Sequence, residues 1–237
     1  HTYIYMAIRR PHKPPTAATE VFALTTRNGN QTAGTFSTAG FPVDLAFISA
    51  RNVGHWTSVF YRLRGPLRFL ATQITNRDAS YNNTLTGFDS NTAIEIGTDS
   101  SNLGVNRNSQ TYVDFLFKRA PGFMDVVAYN GDGITGRTVN HNLEVVPEFM
   151  IVKRRSGSEN WYIYHKEPGA TKSANFNSSP FGSSGAWDDT TPTATTITLL
   201  GDNAVNGSGQ TYVACLFATL PGISKVGTYS GNTGYDV

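Results

Sequence analysis

One block of this chain occurs twice. Val105-Asn-Arg-Asn-Ser-Gln-Thr-Tyr-Val-Asp-Phe-Leu-Phe117 matches Val205-Asn-Gly-Ser-Gly-Gln-Thr-Tyr-Val-Ala-Cys-Leu-Phe217 without a gap, at an offset of 205 − 105 = 100 residues, and both copies run on to Pro-Gly. A period of this length is the size of a small domain, so the chain reads as one unit used twice. Upstream, Pro42-Val-Asp-Leu-Ala-Phe-Ile-Ser parallels Pro147-Glu-Phe-Met-Ile-Val-Lys-Arg and Trp56 parallels Trp161, each at an offset of 105. A tryptophan at the same place in both copies is expected to fill the core.

Partial copies flank these two. Thr2-Tyr-Ile-Tyr-Met-Ala-Ile8 aligns with Thr111–Phe117, and Val226–Gly234 repeats Val127–Gly136. The expected organisation is therefore a closing strand of a preceding unit plus a Pro-rich connector (Arg10–Pro15) over residues 1–36, a first repeat over 37–136, and a second, truncated repeat over 137–237, all cut from a longer protein, the alternative being a circularly shifted unit whose ends meet in space.

Alternation identifies the elements. In the repeated block Val213, Cys215 and Phe217 fall on one face, as do Val113, Phe115 and Phe117, which is the period of a strand with one face on a core. Further strands are predicted at Leu45–Ser49, Val59–Leu63, Ala93–Gly97, Phe149–Lys153, Trp161–His165 and Thr195–Leu200. Between them lie Asn28-Gly29, Asn130-Gly-Asp-Gly133, Asn206-Gly207 and Ser230-Gly231, residues suited to tight turns. The prediction is an all-β chain of two tandem, jelly-roll-like β-sandwich repeats with partial units at both ends.

Composition narrows the function classes. Charged residues are 15% of the chain, against roughly 25% in an average soluble protein, so Ser, Thr, Asn and Gly must cover much of the surface. The net charge is +2, and the densest basic cluster, Lys153-Arg154-Arg155, alternates between two strand faces, which reads as a solvated strand end. Nucleic-acid binding is not expected. A single cysteine, Cys215, rules out an intrachain disulfide and a thiolate zinc site, and it sits at a core position. No apolar run is long enough to span a bilayer as a helix.

The chain shows no His-Glu-x-x-His, no Gly-x-Ser-x-Gly and no phosphate-cradling Gly-rich loop. His55 and His165 read as turn or strand-edge side chains, and Asn130 with Asp132 as turn formers rather than calcium ligands. No catalytic residue, metal or cofactor is assigned. Trp187 follows a polar stretch and precedes the adjacent acids Asp188 and Asp189, and no aligned tryptophan exists in the first repeat. An exposed aromatic beside carboxylates suits a sugar or receptor contact, so Trp187, Asp188 and Asp189 are the candidate ligand-binding residues.

Three phrases carry a resemblance: Tyr3-Ile-Tyr-Met-Ala-Ile-Arg-Arg-Pro11, Trp161-Tyr-Ile-Tyr-His165 followed by Gly169-Ala-Thr-Lys172, and Gly209-Gln-Thr-Tyr-Val-Ala-Cys-Leu-Phe217. They resemble a tandem repeat family of tailed bacteriophages, marine cyanophages among them, found in tail, fibre and capsid-surface proteins. The resemblance implies a non-catalytic structural component on the virion surface. Its implied partners are other copies of itself, in a homo-oligomer, and other virion proteins. The alternative is an adhesin module for a host receptor or glycan.

Overall fold

The computed structural model describes residues 12–81, 83–99, 104–176 and 179–229. The opening strand copy at Thr2–Ile8 and the turn at Ser230-Gly231 lie outside these residues. The described chain is all-β, and none of its helices is long and apolar enough to cross a membrane.

In the first half β1 (Phe22–Asn28) joins a large sheet and β2 (Thr35–Thr38) crosses to a small one. β3 (Leu45–Ala50), β4 (Ser58–Tyr61), β5 (Arg68–Ala71) and β6 (Ala79–Ser80) then form a meander in the large sheet. β7 (Leu85–Gly87) and β8 (Ala93–Ile96) complete the small sheet, and β9 (Thr111–Phe117) returns between β1 and β3. The second half takes the same path without a counterpart of β7 among the described residues, with β10 (Met124–Asn130), β11 (Arg137–Asn140), β12 (Phe149–Arg154), β13 (Trp161–His165), β14 (Lys172–Asn175), β15 (Ser179–Ser183), β16 (Thr196–Leu199) and β17 (Thr211–Phe217). The large-sheet orders are β1-β9-β3-β4-β5-β6 and β10-β17-β12-β13-β14-β15, with all pairs antiparallel.

These pairings redraw two boundaries expected from sequence. β1, placed in the connector over 1–36, pairs along its whole length with β9. β10, placed in the first repeat, pairs with β17. Strand membership therefore changes between Phe117 and Met124, not at 136. The strand that opens each half lies beside the strand that closes it, so its partner is far away in sequence.

One alignment also shifts. Leu45 and Phe149 pair with Phe117 and Phe217 respectively, giving an offset of 149 − 45 = 104 rather than 105. On a strand a one-residue slip exchanges the two faces. The same offset sets Thr57, not Trp56, in the place of Trp161, and the two indoles differ accordingly: Trp161 is 1% exposed and Trp56 is 43% exposed. Polar pairs follow the corrected register, since Asp44 meets Arg62 and takes the Arg119 amide, while Glu148 meets Lys166 and takes the Thr219 amide.

The large sheets are covered on both faces, not on one as period-two alternation suggests. Ala46, Ile48 and Phe60 pack against Leu85, Ile94 and Ile96 of the small sheet, and Met150, Val152 and Tyr164 against Ile197 and Leu199. The opposite faces meet each other, where Leu45, Val59, Tyr61 and Leu70 form one cluster with Ile151, Trp161, Val213 and Cys215. The layers thus run small, large, large, small. Beside this cluster the partly buried, repeat-equivalent rings of Phe117 and Phe217 meet edge to face, 5.9 Å between centroids.

The repeated Val-Asn…Gln-Thr-Tyr phrase is a structural lock. Asn106 donates to the Gly97 and Thr32 carbonyls and to Asn30 Oδ1, and Asn206 donates to the Ile134 carbonyl and Asp132 Oδ1. Tyr112 and Tyr212 accept the amides of Arg107 and Gly207. Gly29 and Gly131 pass so close that a Cβ would lie 2.0 and 2.1 Å from the Arg107 and Gly207 carbonyl oxygens.

Candidate functional site

The second-half hairpin β12–β13 grips the loop between β5 and β6. Trp161 Nε1 donates to the Ala71 carbonyl at 2.9 Å, the Glu159 amide and Lys153 Nζ donate to the Thr75 carbonyl at 2.8 and 3.0 Å, and the Asp78 amide donates to the Arg155 carbonyl at 3.0 Å. Where this loop leaves the hairpin, the seam opens into a cleft of about 470 Å³ lined by Arg64, Arg68, Arg77, Asp78, Tyr81 and Arg155, with Ser80, Ser156 and Thr211 adding hydroxyls.

Local structure delivers each arginine. Arg64 ends a 3-10 turn that closes on Gly65, whose φ of 83° suits glycine. Arg68 opens β5 opposite Ser80, Arg77 lies on the gripped loop, and Arg155 follows β12. Four arginines thus face one carboxylate, an excess of three positive charges in a chain whose net charge is +2. Arg64 Nε binds Asp78 Oδ2 at 2.5 Å, which raises the Arg64 pKa further, and Arg155 Nε is held on the Tyr212 carbonyl at 3.1 Å. Among the described residues no hydrogen bond or ion pair engages the guanidinium groups of Arg68 and Arg77. In the core beside the cleft, burial raises the Tyr61 phenol well above its ordinary pKa, with the Arg155 charge opposing.

Aromatic surface adjoins the charge. A smaller hollow lined by Trp56, Phe69, Arg77 and Tyr81 shares Arg77, Ala79 and Tyr81 with the cleft. Trp56 and Tyr81 are exposed, and Phe69 supports Tyr81 edge to face at 5.2 Å. Guanidinium groups bind carboxylate, sulfate or phosphate by paired N–H donors, and exposed indole and phenol faces accept apolar ring surface.

The residues singled out from sequence fall elsewhere. Trp187 is 0% exposed, donates Nε1 to the Lys172 carbonyl at 3.1 Å and packs edge to face on Tyr164, so its ring offers no platform to a ligand. Its polar neighbours hid a core position. Asp188 and Asp189 form a surface turn with φ of 48° at each. Lys153, expected in solvent, is fully buried between the halves, and burial lowers its pKa to about 8. His165 is buried rather than at an edge, and His55 meets Gln110 at 3.3 Å. Asp132 is engaged by the Ile134 amide, Asn206 and Arg137. Among the described residues no group of three or more His, Cys, Asp or Glu is arranged to hold a metal. The signal overlooked for the cleft was Arg62, Arg64, Arg68 and Arg77 in a stretch with no acid before Asp78.

Fold and cleft together define an all-β, layered sandwich protein with a basic pocket at the seam of its halves. Residues 17–237 match the family described as "Domain of unknown function (DUF7483)", and the chain belongs to that family. No curated protein and no solved structure matches it significantly.

Proposed function

We propose that this chain is a non-catalytic structural component of a phage virion surface, in a tail fibre, tail or capsid-associated protein. The observation that carries this reading is the join between the halves. A shared apolar core and the Trp161, Lys153, Glu159 and Asp78 hydrogen bonds make one stiff block out of two similar halves. Repetition with rigid junctions builds length or area on an assembly, and sheet edges such as β1, an edge strand among the described residues, offer places for other copies of the chain or other virion proteins. Electron microscopy of purified particles labelled with an antibody to residues 12–229 tests the proposal. Label in regular array on the particle surface supports it, and particles that lack the chain refute it.

The arginine cleft favours a second reading, a module that recognises a host receptor or glycan. Isolated protein that competes with particle adsorption to host cells supports that reading; undiminished adsorption under saturating protein counts against it.

A further inference from the structure

We infer that the seam cleft binds an acidic saccharide, with a carboxylate or sulfate on Arg68 and Arg77 and a sugar ring against Trp56 and Tyr81. The inference rests on the recognition reading and gives its ligand class. Three observations converge. First, the positive charge is concentrated and partly unspent: Arg64 and Arg155 are each anchored through one nitrogen, while Arg68 and Arg77 carry no partner among the described residues. A guanidinium has five donors, so even the anchored pair keeps N–H groups for a ligand.

Second, the cleft is held in shape by the framework as well as by the Arg64–Asp78 ion pair, because the Asp78 amide donates to the Arg155 carbonyl from wall to wall. Its volume of about 470 Å³ lies within the roughly 300–1,000 Å³ usual for ligand pockets. Third, charge and aromatics are contiguous, since Arg77 and Tyr81 line both the cleft and the Trp56 hollow. The Ser80, Ser156 and Thr211 hydroxyls match sugar hydroxyls better than they match an apolar ligand. A nucleic-acid strand is the less suitable occupant. It requires a track of positive charge along its backbone, whereas this charge is confined to one cleft in a chain of net charge +2.

The test is titration of the chain with four probes, a sulfated heparin oligosaccharide, a polyuronate oligosaccharide, a neutral dextran oligosaccharide and a single-stranded oligonucleotide, following anisotropy and tryptophan emission, with the Trp56→Ala variant assigning the part due to Trp56. At least one acidic saccharide is expected to bind and to shift Trp56 emission, with affinity that falls as salt screens the charges. Arg77→Ala and Arg68→Gln are each expected to weaken binding about tenfold, in line with one lost charge-assisted contact, while leaving the melting temperature unchanged. Trp56→Ala should remove the emission change and weaken binding several-fold.

Equal binding of dextran and acidic saccharides, insensitive to both arginine variants, leaves recognition standing and overturns this assignment of the cleft. Arginine-dependent binding of the oligonucleotide at the strength of the acidic saccharides overturns the ligand class. Absence of binding by any saccharide overturns the inference, whatever the outcome of the adsorption assay.

Discussion

Arg27 in β1 and Asp114 in β9 form an ion pair at 2.7 Å with the carboxylate fully buried, and the second half has Tyr129 and Ala214 in their places. Both residues reach the same backbone site, Arg27 donating to the Val105 carbonyl and Tyr129 to the Val205 carbonyl. Each also lies over the tyrosine ring of the repeated phrase, Arg27 over Tyr112 at 4.7 Å and Tyr129 stacked on Tyr212 at 5.2 Å. One position thus has an ionic and a neutral solution, and the charge of Arg27 is what requires Asp114.

Removing only the acid is therefore costly. Asp114→Ala strands a nearly buried guanidinium and should destabilise the protein by about 3–5 kcal/mol. The double variant Arg27→Tyr with Asp114→Ala copies the second half and should recover most of that loss. Denaturant unfolding of the two variants checks this, and a double variant no more stable than Asp114→Ala refutes it.

Lys153 gives stability an alkaline signature. Burial lowers its folded pKa from 10.5 to about 8, despite the opposing pull of Glu159. Below about pH 8 both folded and unfolded states hold the proton, and the folded state bears the full desolvation cost. Between about pH 8 and 10.5 the unfolded chain keeps a proton that the folded chain has released, so this group's contribution to stability rises with pH, by about 3 kcal/mol at most. The raised pKa of Cys215 and of the buried tyrosines works the other way at higher pH. The difference between wild-type and Lys153→Met unfolding curves isolates the lysine and should grow in its favour from pH 8 to 10.

The halves should unfold together. Trp161 Nε1 donates to both the Ala71 and Ile74 carbonyls, and its ring lies in the core between the large sheets. Trp161→Phe removes the donor and should cost about 1–3 kcal/mol. Calorimetry is expected to show a single transition for the wild type, moved to lower temperature in the variant. Two well-separated wild-type transitions contradict a shared core.

Cys215 is a core side chain without reactivity in the native state. Burial pushes its thiol pKa from 9.0 up to about 12, with the charge of Asp125 adding to the shift. Alkylation at pH 8 should be negligible in the folded protein and rapid in denaturant, so labelling rates report unfolding. Native labelling at the rate of a free thiol contradicts this burial.

The sequence alone marked β3, β4, β8, β9, β12, β13, β16 and β17 and many of the turns, while β1, β2, β5, β6, β7, β10, β11, β14 and β15 appeared only in the structure. Alternation in Thr211–Phe217 and the Asn-Gly turns are local constraints, readable along a chain, whereas the close approach that requires Gly29 and Gly131 comes from the distant Arg107 and Gly207 carbonyls. Faces were harder. Trp187, set among polar residues, is buried, and Trp56, adjacent to a predicted strand, is exposed, because burial depends on what arrives from other strands. Partnership was hardest: β1 finds β9 across the whole first half, and β10 finds β17 across the second. The same long-range packing sets Arg155, from the second half, beside Arg64, Arg68 and Arg77 of the first, a grouping that no window of the sequence contains and that only the meeting of the two large sheets produces.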